Sequence, residues 1–369
     1  MRFDIKTSQE AQKYISLIDG TVKNNHRQEC VKFVKLGSQT VRIVCYSKEF
    51  LPLMQKQLTY TLRNEAANFD ATIVVWKEEN AQALINSISK GNVPMQMRLR
   101  LEKVMSKKEV NVLELMEKSY SLHNPLIKLD ALNGFVKAFD KETNTYYYGV
   151  KDLSPEEFIK EGHIFVQMFN KIAKTENSNL VHGAVVGLEN NGILFCARGQ
   201  RGKSTLAVLS MMKGFEYVSD DYLILEKEGD NLYSYPIYSI ITLSPRMYNE
   251  LYDDMKGKFI SNNARKDKYV INIEAYHDTF KNKYPIKVCM FPEIVKDAKP
   301  SIVPCKKGRS ITQLIHSTIR QVEDAHDIKT IQKLINFVKD FDFYQINLCN
   351  DIHANVECLR EFCNKLNAK

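Results

Sequence analysis

Two runs of β-branched residues, 39–45 (QTVRIVC) and 70–76 (DATIVVW), are bounded by polar stretches and predict strands. Between them Phe50, Leu53, Met54, Leu58 and Leu62 recur at helical spacing, so the segment reads as strand–helix–strand. Residues 80–118, rich in Lys, Met and Leu, predict further helices. The pattern up to this point describes an N-terminal α/β lobe over residues 1–120. Residues 132–150 then predict a β-hairpin turning at Lys141–Asn144. In the Asp-Leu-Ser-Pro-Glu-Glu-Phe that follows, Ser154 suits an N-cap, Pro155 the first helical position and Glu157 a capping box. That helix is expected to run to Ala173.

The next stretch has a different rhythm. Val181–Leu188 predicts a strand, Glu189-Asn190-Asn191-Gly192 a tight turn carrying an Asn-Gly signal, and Ile193–Ala197 a buried strand. A helix is expected over Ser204–Lys213, stopped by Gly214 at C′, and a strand over Phe215–Val218. The chain therefore reads as two lobes, with residues 121–369 forming the second.

Composition changes this picture little. The 369 residues are 44% hydrophobic and 26% charged, which excludes a disordered chain, a collagen and a coiled coil. The 52 basic and 44 acidic residues leave a net charge of +8, with no Lys/Arg-rich block interleaved with aromatics. That argues against a nucleic-acid role and suits phosphorylated or acidic partners as well as neutral ones. None of the eight cysteines forms a C-x-x-C pair, and Cys45 and Cys196 sit in apolar runs as small core hydrophobes. The N-terminus has no apolar core of a signal peptide, and no window approaches a membrane span. The expectation is a reduced, cytoplasmic protein with no membrane partner; an oligomer is compatible with the composition.

The chemistry concentrates in Ala197-Arg198-Gly199-Gln200-Arg201-Gly202-Lys203-Ser204, followed by Thr205. This is nearly G-x-x-x-x-G-K-[ST], set between an apolar strand and a helix. A phosphate chain needs several converging backbone N–H groups, and a helix N-terminus adds positive partial charge. Lys203 is then expected to reach the β- and γ-phosphates of ATP, and the Ser204 hydroxyl to hold Mg²⁺. As a ligand-binding side chain, Lys203 is also expected to pack little. Ala197 stands in place of the first glycine and requires a negative φ there.

Asp220 and Asp221 follow the strand after this helix, 17 residues beyond Lys203 in the case of Asp220. Of two such carboxylates facing a triphosphate, one can ligate Mg²⁺ and the other accept a proton from an attacking hydroxyl. Which does which stays open; the working assignment is Asp220 as base and Asp221 as metal ligand. His182, on the strand before, lies where it could approach the phosphates or the acidic pair. Residues 256–287 hold eight Lys/Arg, of which Arg265 and Lys268 are candidates for the second cation that a transferring phosphoryl group attracts. Arg309 and Arg320 are weaker candidates of the same kind.

The pattern His182-Gly183…Gly192-Ile193-Leu194…Gly199…Gly202-Lys203-Ser204…Ser219-Asp220-Asp221 resembles HPr kinase/phosphorylase and its kinase-like relatives. It is specific over residues 180–225 and extends weakly across 130–320. The resemblance implies a carboxykinase-like P-loop kinase domain with a mixed sheet. It also implies a reaction centre of His182, Lys203, Ser204, Asp220 and Asp221, and transfer of the ATP γ-phosphoryl group to a serine hydroxyl of a protein or peptide. Thr205 stands where the bifunctional enzymes usually have Glu, and the segment tied to dephosphorylation is not found. Both departures argue against a phosphorylase reaction and against HPr as substrate, and point to stand-alone relatives. The N-terminal lobe would then select the acceptor. A small-molecule hydroxyl kinase, a nucleotide-binding module without an acceptor and a degenerate scaffold share the same motifs.

Overall fold

The computed structural model describes residues 8–25, 27–77, 127–130, 135–150, 163–197, 199, 201–251, 259–263, 268–273, 278–295, 299–319 and 327–367. The expected helices over 80–118, the Ser154 cap, the 120/121 boundary, Arg198, Gln200, Arg265 and Arg320 lie outside the described residues. The chain is α/β with mixed sheets and divides into two compact units. One comprises Met1–Phe33, Val41–Leu51 and Asn64–Ser154; the other comprises Val34–Thr40, Pro52–Arg63 and Pro155–Lys369.

In the N-terminal part, α1 (Ser8–Asn25) precedes β1 (Cys30–Leu36), β2 (Gln39–Cys45), α2 (Phe50–Leu58), β3 (Leu62–Arg63) and β4 (Ala71–Lys77). After these come β5 (Ile127–Asp130), β6 (Phe135–Asp140) and β7 (Thr145–Val150). The strands order as β3-β1-β2-β4-β7-β6-β5. The strand–helix–strand reading holds, with β2 parallel to β4 in the register Val41↔Ala71 to Cys45↔Val75. Leu62, expected on the helix, instead opens β3. The β6–β7 hairpin turns at the expected residues, and β7 pairs parallel with β4 (Thr72↔Thr145), so it belongs to this sheet. Ile15, Ile18 and Val22, at helical spacing on α1, bury against Val44, Val74, Trp76 and Tyr147.

The second unit contains α3 (Val166–Ala173), β8 (Ser178–His182), β9 (Ala184–Leu188), β10 (Asn191–Phe195), α4 (Lys203–Met212) and β11 (Glu216–Ser219). It continues through β12 (Tyr222–Glu228), β13 (Asn231–Pro236), β14 (Ile240–Leu243), α5 (Pro245–Glu250), β15 (Phe259–Asn263), β16 (Lys268–Asn272) and β17 (Tyr284–Ile294). The last elements are β18 (Ser301–Pro304), α6 (Lys307–Ile319), α7 (Ile328–Val338), β19 (Asp342–Leu348) and α8 (Ile352–Asn367). A nine-stranded mixed sheet runs β11-β9-β10-β17-β13-β12-β8, with β19 pairing β17 and β18 pairing β19. β10–β17 and β17–β19 are parallel.

The two-residue alternation of the central strands sorts side chains to opposite faces. Ile193, Phe195, Val288 and Met290 pack with Leu206 and Leu209 of α4 and Val356 and Leu359 of α8. Leu194, Cys196, Cys289 and Phe291 pack with Leu314 of α6 and Leu334 and Phe337 of α7. Two helical layers thus enclose this part of the sheet, which explains why its strands are apolar on both faces. A separate three-stranded sheet has the order β14-β16-β15.

Two sequence expectations change here. The single strand over Val181–Leu188 is two strands broken at Gly183: β8 pairs with β12, whereas β9 pairs with β10 and β11. A Cβ on residue 183 would lie 2.9 Å from the Phe195 carbonyl oxygen, so the break passes where a side chain has no room. The β9–β10 turn is Glu189–Asn190, with φ of 50° and 63°, and Leu188 pairs with Asn191. Two successive positive φ values make the turn that matches strand twist. Asn191-Gly192 falls inside β10 instead, and Gly192 lies so close to the Pro285 carbonyl that any Cβ would collide with it.

Candidate active site

The loop from Cys196 to Gly202 joins the end of β10 to the start of α4. Cys196 extends the sheet by donating its N–H to the Met290 carbonyl at 3.0 Å. Ala197 is absent from the positive-φ residues, so it meets the condition for replacing the glycine. The conformational demand falls on Gly202, the N-cap of α4, with φ 88°. Its carbonyl accepts the first helical hydrogen bond, from the Leu206 N–H at 2.9 Å. Among the described residues no side chain caps this end of α4, so its first N–H groups keep their capacity for an anion. At the other end Gly214 (φ 86°) terminates the helix: its N–H goes to the Met211 carbonyl and that of Phe215 to the Ser210 carbonyl. This is the pairing of a Schellman motif, as the sequence predicted.

Lys203 is the first residue of α4 and is only 7% exposed, contrary to the expectation that it would pack little. Its Nζ donates to Asp220 Oδ1 at 2.6 Å and to Asp221 Oδ1 at 3.1 Å. The carboxylates come from the β11–β12 connection, which doubles back beside the helix start. Asp221 takes φ 64°, an uncommon conformation for a non-glycine residue. It is held there from both sides: its carbonyl accepts from the Gly183 N–H at 3.0 Å, and the Asp220 carbonyl accepts from the Tyr222 N–H at 2.9 Å. The glycine that breaks β8 from β9 therefore also pins the acidic turn.

His182 ends β8 with its Nε2 at 3.5 Å from Asp221 Oδ1, and Thr242 of β14 donates its hydroxyl to Asp221 Oδ2 at 3.2 Å. Both Asp221 oxygens are thus engaged. Asp220 Oδ2, by contrast, is buried and has no hydrogen-bond partner among the described residues, and the same holds for His182 Nδ1 and the Tyr217 hydroxyl. Burial pushes the His182 imidazole down, and Lys203 adds to this, against the opposing pull of Asp221. It is therefore neutral at pH 7, placing its proton on Nε2 toward Asp221 and leaving Nδ1 as an unpaired acceptor. Burial would raise the Asp221 carboxyl, but Lys203 and then His182 outweigh it and hold the group well below the usual carboxylate range. For Lys203, burial works against the charge and the two carboxylates overcome it, so the ammonium is held charged above its usual value. The Tyr217 phenol is pushed up by burial and by both aspartates.

Lys203 is shared by two aspartates, which together present more acceptor oxygens than one ammonium engages, an arrangement suited to a further cation. Among the described residues no three His, Cys, Asp or Glu side chains converge as a metal site by themselves. The available donors are oxygens: the two carboxylates and the Ser204 hydroxyl. That set fits Mg²⁺, which is commonly held by one or two carboxylates together with water and phosphate.

Of the sequence candidates, the structure brings together His182, Lys203, Asp220 and Asp221, with Ser204 and Thr205 half-buried in the first turn of α4. Arg201 is engaged elsewhere, in an ion pair with Glu293 of β17. Lys268 is the first residue of β16. Arg309 is exposed on α6. Of the basic residues in 256–287, Lys281 and Lys283 form surface ion pairs with Glu216 and Glu228. Sequence reasoning missed Thr242 and Tyr217. Each lies in an ordinary apolar strand pattern, and only the chain path brings them to the aspartates. Tyr222, beside Asp221, stacks edge-on against His182 and His163, with centroids 5.8 Å and 4.9 Å away.

No protein-family model matches the chain, and no curated protein does. Among solved structures, the chain is similar to the Hpr(Ser) kinase/phosphatase from Coxiella burnetii, at 12% identity over 52% of this chain and 93% of that one, with a TM-score of 0.31.

Proposed function

We propose that this chain is a Mg-ATP-dependent phosphotransferase that moves the γ-phosphoryl group to a serine-type hydroxyl of a peptide or protein. One observation carries the reading. A lysine opens an uncapped helix after a left-handed glycine, and two carboxylates hold it 2.6 and 3.1 Å away. In a purely structural role a hydrophobic side chain would serve this buried position as well, without the cost of removing three charges from water.

In the proposed reaction the acceptor oxygen forms a bond to the γ-phosphorus while the bond to the β–γ bridging oxygen breaks and ADP departs. Lys203 exchanges a carboxylate for phosphate oxygens, and the N–H groups at the start of α4 take others. Mg²⁺, when bound, neutralises phosphate charge. Ser204 and Asp221 would hold it, with Asp221 oriented by Thr242 and His182 as ligating carboxylates commonly are. Asp220 Oδ2, the carboxylate oxygen with no partner, would take the hydroxyl proton. Arg265 and Lys268 remain proposals for the second cation on the transferring group. The N-terminal unit is proposed to read the acceptor. A reducing, cytoplasmic setting belongs to the same proposal.

The test is ADP formation with and without hydroxyl-bearing peptides, using Lys203→Met as control. Peptide-dependent ADP that Lys203→Met abolishes is the expected result. Turnover with small hydroxyl compounds but no peptide would move the acceptor class. ATP binding with no acceptor-dependent turnover would leave a nucleotide-binding module.

A further inference from the structure

Away from the acidic site, the N-terminal hairpin brings two cysteines together. β1 ends at Leu36 and β2 begins at Gln39, joined by Gly37, with φ 62°, and Ser38. A two-residue connection makes the strands antiparallel and fixes their register. Each strand has seven residues, so counting from the turn places Cys30 at the open end of β1 beside Cys45 at the end of β2. The Glu29 N–H donates to the Cys45 carbonyl at 2.8 Å, so the strands stay paired to this end, with Glu29 as well as Cys30 alongside Cys45. Neither cysteine is in a disulfide, and the Cys30 thiol senses its Cys45 neighbour electrostatically. Directly opposed residues in an antiparallel pair hold their Cα atoms about 4.5–5.5 Å apart, within the roughly 4.4–6.8 Å span of disulfides.

Access differs between the two. Cys30 is half-buried and Cys45 fully buried. The neighbouring Cys45 is the main cause holding the Cys30 thiol down at about 7, with Lys32 assisting against partial burial. Cys305 and Cys358, the other half-buried cysteines, are pushed up by burial. Cys30 is therefore the thiol with both a route to solvent and a substantial thiolate fraction at neutral pH.

We propose that Cys30 and Cys45 are a peroxide-oxidised dithiol: Cys30 is the attacking sulfur, Cys45 the resolving one, and the product is a cross-strand disulfide. In the first step the Cys30 thiolate attacks one oxygen of hydrogen peroxide. The O–O bond breaks, and the departing hydroxide takes a proton to become water. This two-electron oxidation leaves a sulfenic acid on Cys30. The Cys45 sulfur then attacks the Cys30 sulfur; the S–S bond forms, the S–O bond breaks, and a second water leaves with the Cys45 proton. Two thiols and one peroxide give one disulfide and two waters. Because Cys45 lies beside Cys30 on the neighbouring strand, resolution is intramolecular and outpaces further oxidation.

The experiment is peroxide titration of the reduced, full-length protein at pH 7.5, followed by alkylation under denaturing conditions and peptide mapping. The expected product loses two thiols and about 2 Da, maps to a peptide pair linking Cys30 to Cys45, and is reversed by dithiothreitol. In Cys45→Ser the sulfenic acid on Cys30 should persist and react with dimedone. A first disulfide through any other cysteine, direct accumulation of Cys30 sulfinic acid in the wild type, or no thiol loss would each overturn the proposal. The wild-type map decides without the variant, and the outcome is independent of the phosphotransferase reading.

Discussion

Replacing Lys203 by Met tests whether the acidic site is closed around its lysine. Met keeps much of the side-chain volume, so the change chiefly removes the ammonium from its positions 2.6 and 3.1 Å from Asp220 and Asp221. Two buried carboxylates then have no cation. Breaking a buried pair by deleting one partner costs about 3–5 kcal/mol. Proton uptake sets the ceiling. Protonating one aspartate from its unfolded value near 3.9 costs about 1.4 kcal/mol per pH unit, hence roughly 5 kcal/mol at pH 7.5 and roughly 2 kcal/mol at pH 5.5.

The two proteins should therefore respond to pH with opposite signs. In the wild type the Asp221 carboxyl is depressed, so its contribution is present above the unfolded value and lost only as pH falls through the folded one. The Lys203 contribution is present below 10.5 and lost as pH rises through its higher folded value. Neither changes between pH 5.5 and 7.5. His182, buried neutral and lowered from 6.5, makes the wild type lose stability as pH drops through that range, because the unfolded chain takes up the proton. In Lys203→Met the Asp221 carboxyl loses the cation that outweighs its burial, the native state binds the extra proton there, and the penalty shrinks on acidification. Urea denaturation at both pH values should show a destabilisation of about 3–5 kcal/mol at pH 7.5 that falls to about 2 kcal/mol at pH 5.5. Adding Asp220→Asn should recover part of the loss at pH 7.5. A penalty under about 1 kcal/mol at both pH values would mean a solvated lysine and would refute the reasoning.

Other expectations concern the same elements. Asp220→Asn should lower acceptor-dependent turnover by ~10²–10⁴ with ATP binding intact, whereas Asp221→Asn should raise the Mg²⁺ concentration needed; equal, mild effects would remove both roles. Thr242→Val deletes the hydroxyl on Asp221 Oδ2 and should cost roughly ten- to a hundredfold in turnover, with Thr242→Ser restoring most of it; equal loss in both variants would make the contact one of packing alone. Gly202→Ala must hold φ 88° and place a Cβ 2.6 Å from Leu348 Cδ1, so a loss of about 1–2 kcal/mol and weaker nucleotide binding by calorimetry are expected.

Much of the site was legible because its chemistry is local. The glycine, lysine and serine before a helix, the C′ glycine after it, and an acidic pair one helix and one strand later all follow from short-range rules of helix termini and chain reversal. Gly214 and the β6–β7 turn lie where those rules put them. Errors arose where a local rule had two solutions. Asn191-Gly192 carries the stronger turn signal, yet Glu189–Asn190 makes the turn, because β10 must pair with β9 on one side and pass the Pro285 carbonyl on the other. An unbroken apolar run over Val181–Leu188 hid a change of partner strand, which period-two alternation cannot register.

Residue order alone determined which side chains gather at the start of α4, since a helix start and the residues flanking it are set by a handful of neighbouring positions. Tertiary structure decided how those side chains are charged and held. Lys203 could not be seen as buried, His182 as neutral or Thr242 as the partner of Asp221, because each depends on desolvation and Coulomb energy between groups on separate elements. Those energies depend on separation in space, and it is the break at Gly183 and the left-handed turn at Asp221 that bring the groups within 3.5 Å.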